Sequence, residues 1–349
     1  MTEKKRFRGR AVKTAGVVLG CALVLGGAGA GWMYWHLDHN IRSVDIDKAL
    51  GDNRPMRADQ VAASPSASAS PSASASAEPV EKGVLNILVL GSDSRSGKAN
   101  KALGGGPSGG ARSDTAMVLH LDADRTEATV VSIPRDTLVE RPSCPTESGG
   151  TTAVAYGVMF NSAYSLGGPV CAVKTVETLT GVRMDHYLEI DFSGFAKLVD
   201  ALGGVDVTTD QDIDDDLSHL HLEAGEHHLD GKAALAFART RHGVGDGSDL
   251  GRIKLQQQLV KALVGQVSDS GLLTSPTRLY KVADAATGSL TADTGLDSLT
   301  ELSGLARSLE GLSADAVKTV MMPVVQAPSD ANRVVADEPE ASDLWKSLR

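Results

Sequence analysis

Four short segments place arginine and aspartate beside strongly apolar runs. Gly91-Ser92-Asp93-Ser94-Arg95 follows the first run, and Arg112-Ser113-Asp114-Thr115 opens the second. Ser132-Ile133-Pro134-Arg135-Asp136-Thr137 closes the third, and Arg239-Thr240-Arg241 is followed by Asp249, Arg252 and Gln256. Charges in such places cost desolvation free energy unless they meet a partner or a ligand, and the ends of strands in α/β sheets are where ligands sit. The planar guanidinium fork matches phosphate oxygens bidentately. Paired carboxylates beside phosphates suit Mg²⁺, which prefers hard oxygen ligands. A pyrophosphate would use both, with a cation across its oxygens and arginines around the rest. The plainer alternative is an Arg–Asp ion-pair network with a structural role.

Other chemistries fit less well. A nucleotide loop over residues 91–98 would need glycine at position 92, which is Ser92, and Ser or Thr at position 99, which is Ala99. The acidic run Asp210, Asp212, Asp214, Asp215 and Asp216 fails a calcium loop, with Asp215 where glycine belongs and His221 where glutamate belongs. His219, His221, His227 and His228 cluster nearby; His219 and His221 alternate along a strand and could ligate a metal, against the plainer reading of a solvated strand and turn. No Cys–His constellation is evident, so acyl-transfer chemistry is unsupported. A net charge of −10 and pI near 5.4 argue against nucleic-acid binding.

The charge is unevenly spread. Six basic residues against Glu3 give residues 1–13 a net +5, which leaves −15 for the remainder. Residues 15–35 carry no charge and, as a helix, would span roughly 30 Å, the thickness of the hydrocarbon core. Trp32, Tyr34 and Trp35 close this run, where interfacial aromatics belong, and the basic flank places the N-terminus in the cytoplasm. The expected organisation is a cytoplasmic tail over 1–14, a single membrane-spanning helix over 15–35, a disordered linker over 36–82 centred on the Ser/Ala/Pro tract Ser64–Ala77, and an extracytoplasmic body over 83–349. Cys144 and Cys171 then lie in an oxidising compartment, either bridged or as two separate buried thiols.

The body alternates strands and helices. Strands are expected at 84–90, 115–121, 128–133, 186–190, from 205, and at 319–325. Helices are expected at 161–180, 191–202, 230–241, 251–267 and 341–348. A turn at Asp122–Arg125 implies a hairpin, so the fold class is α/β with a mixed β-sheet layered between helices. Residues 268–327 carry no functional reading.

In order and spacing these segments resemble the LytR-CpsA-Psr family of cell-wall enzymes. The stretches that carry the likeness are LNILVLGSDSR, ARSDTAMVLHLDADRTEATVVSIPRDTLV, NSAYSLGGPVCAVKTVETLTGVRMDHYLEIDFSGFAKLVDALGGVDV and LDGKAALAFARTRHGVGDGSDLGRIKLQQQLVKAL, which form a motif core over 84–265. The resemblance implies a phosphotransferase that moves a glycopolymer from an undecaprenyl-pyrophosphate carrier to the 6-hydroxyl of N-acetylmuramic acid in peptidoglycan. It implies Mg²⁺, or Mn²⁺, on Asp93 and Asp114, and pyrophosphate bound by Arg95, Arg112, Arg135, Arg239, Arg241, Arg252 and Gln256. Asp249 would orient arginines, Asp136 and Asn161 would be scaffold, and Cys144 and Cys171 would pair as in actinobacterial members. The long loop between Arg95 and Arg112 departs from the shorter family pattern. Three competing readings are a non-catalytic module that binds prenyl-phosphate lipids, a transcription regulator, which the topology and the −15 body oppose, and a pyrophosphatase that uses water as acceptor.

Overall fold

In the computed structural model, which describes residues 31–57, 83–92, 113–146, 149–241, 244, 249–269 and 275–349, the apolar runs alternate side chains between two cores. Strand β2 (Leu85–Ser92) follows β1 (Arg42–Val44), and β3 (Ser113–Leu121) and β4 (Ala128–Ile133) follow it in an antiparallel meander. Leu88, Leu90, Ala116, Val118, Val131 and Ile133 face one core; Ile87, Met117, Leu121, Ala128 and Val130 face the other. This period of two, with apolar residues on both sides, is what a sheet covered on both faces requires.

Short strands β5 (Leu138–Arg141) and β6 (Ala155–Met159) pair with each other beyond the sheet, and β7 (His186–Asp191) returns to it parallel to β2. Two small antiparallel pairs come next: β8 (Val205–Thr209) with β11 (Gly225–Leu229), and β9 (Ile213–Asp215) with β10 (Leu220–Leu222). The chain rejoins the main sheet with β12 (Leu290–Asp293) and β13 (Val317–Met321), then ends in the hairpin β14 (Val324–Ala327) and β15 (Asp330–Ala336). The main sheet has seven strands in the order β1-β12-β7-β2-β3-β4-β13 and is mixed. The strand expected over 319–325 is two strands, because Pro323 has no N–H to donate to a ladder.

Residues 31–40 form helix α1, and Ile46–Leu50 forms α2. Helix α3 (Asn161–Thr180) covers one sheet face with Ala172, Val173 and Val176. It is kinked at Gly168 (φ 60°, ψ −152°), just before Pro169. The sulfurs of Cys144 and Cys171 lie 2.06 Å apart, in a small buried cluster with Ala163. Helices α4 (Phe192–Leu202), α5 (Gly231–Arg239) and α6 (Asp249–Asp269) build the opposite layer, where Val199, Ala234, Phe237, Leu255 and Leu259 form a third core with β8. Asp191 and Asp230 cap α4 and α5 by accepting from Gly194 N and Ala233 N. Helices α7 (Pro276–Thr287), α8 (Leu299–Ser308) and α9 (Glu340–Lys346) complete the fold, so the described part of residues 268–327 includes α7, α8, the main-sheet strands β12 and β13, and β14.

The linker expected over 36–82 is corrected at its start. Residues 36–40 belong to α1, β1 joins the sheet edge beside β12, and Ile46 lies in the main core. Arg54 is buried against Glu177, with both side chains 3% exposed. Polar composition hid this, because an edge strand of three residues and a five-residue helix carry little periodic signal. Among the described residues no helix is long and apolar enough to cross a membrane; residues 15–30 of the apolar run, and the Ser/Ala/Pro tract, lie outside them.

Candidate active site

The candidate site lies where the ends of β2 and β3 meet the N-terminus of α6. Ser92, the last residue of β2, stands opposite Ser113, and Asp114 and Thr115 follow on β3. From β4 the chain turns through Pro134, with Thr137 N donating to Pro134 O at 3.0 Å. That turn directs Arg135 at Asp114: Nη1 donates to Oδ1 at 2.6 Å. The backbone carbonyl of Arg135 accepts from Asn161 N at 3.3 Å, which ties the turn to the start of α3.

Helix α6 brings the rest. Its first residue, Asp249, has its carboxylate among three guanidinium groups: Arg252 Nη2 at 2.5 Å, Arg135 Nε at 3.6 Å and Arg241 Nη2 at 3.9 Å from Oδ1. These are charge contacts; among the described residues neither oxygen of Asp249 receives an aligned hydrogen bond, and the Nε donors of Arg135 and Arg252 make none either. Arg252 Nη2 also donates to the Asp114 carbonyl at 3.0 Å, and Gln256 Nε2 donates to Thr115 Oγ1 and Ala238 O, both at 2.9 Å. Gly251 permits the close approach of this helix start, since a Cβ there would lie 2.8 Å from the Val244 carbonyl oxygen.

Burial has an electrostatic consequence. Arg252, with a side chain only 4% exposed, has its pKa pushed down to about 10, mainly by desolvation, which Asp249 opposes and Arg241 and Arg135 reinforce. Arg241 is shifted down chiefly by desolvation, then by Arg135, with Asp249 opposing. Both remain cationic at neutral pH, so positive charge is concentrated beside a helix N-terminus, where backbone N–H groups and the helix dipole also favour an anion.

A cavity of about 380 Å³ opens from this cluster between the sheet and the α4–α6 layer. Its polar lining includes Asp114, Arg239, Arg241, Arg252 and Gln256, with Asp191 and Asp215; its apolar lining includes Val89, Met117, Phe195, Leu235, Leu259, Val260 and Leu263. One stripe of α6 carries the gradient. Arg252, Gln256, Leu259, Val260 and Leu263 recur at helical spacing, so the face turns from cationic to apolar over roughly 16 Å. Arg239, at the end of α5, lies over the Phe192 ring, its guanidinium carbon 4.7 Å from the centroid.

Of the residues singled out in sequence, Asp114, Arg135, Arg241, Asp249 and Arg252 meet in one cluster, and Arg239 and Gln256 share its cavity. Asp136 stands beside Arg135 (3.7 Å) and Arg333 of β15 (3.7 Å). Asp93, Arg95 and Arg112 lie outside the described residues. Asp215, weighed in sequence only as part of a calcium loop, has a different role. It belongs to the acidic run that fails the calcium-loop pattern, and it is 2% exposed. Its carboxylate accepts from Leu217 N at 3.0 Å, Ser218 N at 3.3 Å and Arg241 N at 3.0 Å, so it pins the segment bearing Arg241. The signal was its position: β9 points Asp215 inward with Ile213, while Asp214 faces solvent. Among the described residues, Asp214, Asp216 and His221 are near enough to share a cation, but all three are exposed, and His221 Nδ1 already lies 2.5 Å from Asp214 Oδ1.

The architecture is that of a mixed α/β domain with a cationic head site opening into an apolar cavity, a shape suited to an amphiphile with an anionic head. The chain belongs to the LytR_cpsA_psr family, whose model matches residues 33–349. It is 36% identical over 271 residues to LcpB of Corynebacterium glutamicum, a probable cell wall biosynthesis protein, covering 76% of this chain and 61% of that one. It is 29% identical over 272 residues to TagV of Bacillus subtilis, a polyisoprenyl-teichoic acid–peptidoglycan teichoic acid transferase, covering 76% of this chain and 63% of the relative. The chain thus spans about three-fifths of the length of both relatives. Among solved structures, TagV of B. subtilis aligns with a TM-score of 0.59 at 28% identity, over 77% of this chain and 97% of that one. TagT bound to LI-WTA aligns with a TM-score of 0.55 at 25% identity, over 76% and 90%.

Proposed function

We propose that the chain is a membrane-anchored phosphotransferase that moves a wall glycopolymer from a polyprenyl-pyrophosphate carrier to a hydroxyl of peptidoglycan, expected to be the 6-hydroxyl of N-acetylmuramic acid, on the outer face of the membrane. The observation that carries the reading is the continuity of the arginine cluster with the apolar cavity along one stripe of α6. A prenyl chain would occupy the apolar part while its pyrophosphate met Arg135, Arg239, Arg241 and Arg252, with Arg95 and Arg112 completing the set. The name of TagV and the bound state of TagT support the same class of substrate, and the name of LcpB supports a role in cell wall biosynthesis.

In the proposed reaction the acceptor oxygen attacks the glycan-bearing phosphorus. A new phosphodiester bond forms, the P–O–P bridge breaks, and polyprenyl phosphate leaves, while the hydroxyl proton passes to a carboxylate or to water. Arginine charge would stabilise the equatorial oxygens and the leaving phosphate. Asp249 would hold Arg135, Arg241 and Arg252 oriented before the substrate arrives, which lowers the reorganisation cost of binding. A divalent cation fits the donor set: the Asp114 carboxylate is hard, 26% exposed and lines the cavity, and Mg²⁺ binds through one or two carboxylates plus substrate phosphates. Asp114, with Asp93, would hold Mg²⁺ or Mn²⁺, which when bound would neutralise phosphate charge.

The test is transfer by the full chain in proteoliposomes, with a polyprenyl-pyrophosphate glycan and peptidoglycan. Glycan phosphate on muramic acid, with release of polyprenyl phosphate, is expected. Release of glycan phosphate without acceptor dependence would establish the hydrolase reading instead. Tight carrier binding with no turnover would leave a non-catalytic binding module.

A further inference from the structure

The start of the described chain has a surface that the active site does not use. Residues 15–30 are uncharged and run directly into α1. There Trp32, Met33, Tyr34 and Trp35 are 59%, 38%, 48% and 55% exposed. Successive helical residues project about 100° apart, so four in a row cover the whole circumference. One protein face could bury part of such a turn; a bilayer interface accommodates all of it, and amphipathic aromatic rings prefer that depth.

From Tyr34 onward the helix is fastened to the body. Leu37 is buried, Tyr34 Oη lies 2.9 Å from Thr300 Oγ1, His36 Nε2 lies 3.2 Å from Asp284 Oδ1, and Leu299 N donates to Asp38 Oδ1 at 2.9 Å. Beside it a cleft of about 470 Å³, lined by His36, Asn40, Lys197, Tyr280, Lys281 and Asp284, brings lysines from α4 and α7 to the same face. The chain then enters the main sheet as β1 and returns to the same sheet as β2, so both sides of the Ser/Ala/Pro tract belong to one body.

We infer that this face seats the domain on a bilayer carrying anionic headgroups, with the first turn of α1 in the interface and the lysine-lined cleft over the headgroup phosphates. The β1 edge of the sheet then faces the membrane, and the active site is held in a fixed orientation above it. The Ser64–Ala77 tract is not the spacer between anchor and domain. The inference rests on the membrane anchorage proposed above.

The test uses the full chain, with Cys21→Ala, reconstituted into vesicles containing phosphatidylglycerol. A bimane fluorophore is placed at Ala285→Cys, which lines the cleft, or at Lys318→Cys on β13, the sheet edge opposite β1, which is six strand spacings or roughly 29 Å from β1. A lipid with a nitroxide on its headgroup is the quencher. Seating predicts several-fold stronger quenching at position 285 than at 318, unchanged when Ser64–Ala77 is deleted and reduced in vesicles of zwitterionic lipid alone. Equal quenching at both positions, in protein that floats with the vesicles, would overturn the seating. Loss of the difference on deleting the tract would restore the tract as a spacer. Persistence of the full difference without anionic lipid would remove the lysines from the interaction. Protein that does not float would refute the anchorage itself, a separate failure.

Discussion

Asp249→Asn tests whether the arginine cluster is strained in a way that an anion relieves. The Asp249 carboxylate offsets three guanidinium groups within 4 Å, and its side chain is only 12% exposed. Asparagine keeps the shape at the start of α6 and removes the charge. Arg252, 4% exposed, would keep the Asp114 carbonyl as its close acceptor among the described residues. Removing one partner of a buried pair costs about 3–5 kcal/mol, because the other charge stays buried. The cavity admits some solvent, so the lower end applies, and about 3 kcal/mol corresponds to a fall in Tm of about 6–12 °C for a domain of this size. Inorganic pyrophosphate restores the missing negative charge. Thermal unfolding of the full chain in nanodiscs should therefore show a lower Tm for the variant and a larger pyrophosphate-induced rise than in the parent protein. An unchanged Tm would mean that Asp249 does not balance the arginines. A pyrophosphate shift no larger than the parent's would mean that the ligand does not reach them.

Further outcomes follow from the same geometry. Arg135→Ala and Arg239→Ala should each abolish transfer while circular dichroism stays native; residual transfer above about a tenth of the parent rate would remove that arginine from the proposed transition-state set. Leu263→Trp, which fills the apolar part of the cavity, should block a long-chain polyprenyl pyrophosphate and leave inorganic pyrophosphate binding intact, as read by calorimetry with each ligand. Asp215→Asn should leave the fold in place but weaken pyrophosphate binding through Arg241, and equal affinity would deny Asp215 a positioning role. The pH dependence has a definite sign. Arg252 is a base whose folded pKa is lowered to about 10, so the cost of burying its charge is present below that pH and is relieved as pH rises toward its usual range. The free protein should therefore lose no stability from this group across pH 10, whereas pyrophosphate affinity, which needs the charged form, should fall there in titrations on either side of it.

Much of the fold was legible because long apolar strands carry their own geometry. Ile87, Leu88 and Leu90 read as a buried strand and are one, each fully buried. The Asp122–Arg125 turn joins β3 to β4 as a hairpin, with Asp122 accepting from the Thr126 and Glu127 amides. Less was legible where an element is short or its partner is remote. β1 has three residues and pairs with β12, about 250 positions away, so no local pattern marks it. The break at Pro323 was readable from the missing donor and went unused.

The site divides along the same physical line. Arginine and aspartate beside apolar strands announce themselves, because burial without a partner is costly. Asp114, Arg135, Arg241, Asp249 and Arg252 were visible for that reason, and they converge from β3, the β4 turn, the segment after α5 and α6. Asp215 was hidden because its neighbours Asp214 and Asp216 are solvated, and a run of like charges reads as a surface. Burial on a short strand is decided residue by residue: β9 turns Asp214 out and Asp215 in, where three backbone amides repay the desolvation of its carboxylate. An acidic cluster is therefore better judged by alternation than by its summed charge. The member that shares parity with a buried apolar neighbour, here Ile213, is the one with structural work to do, and in this chain that work is to fix the backbone of an arginine lining the cavity.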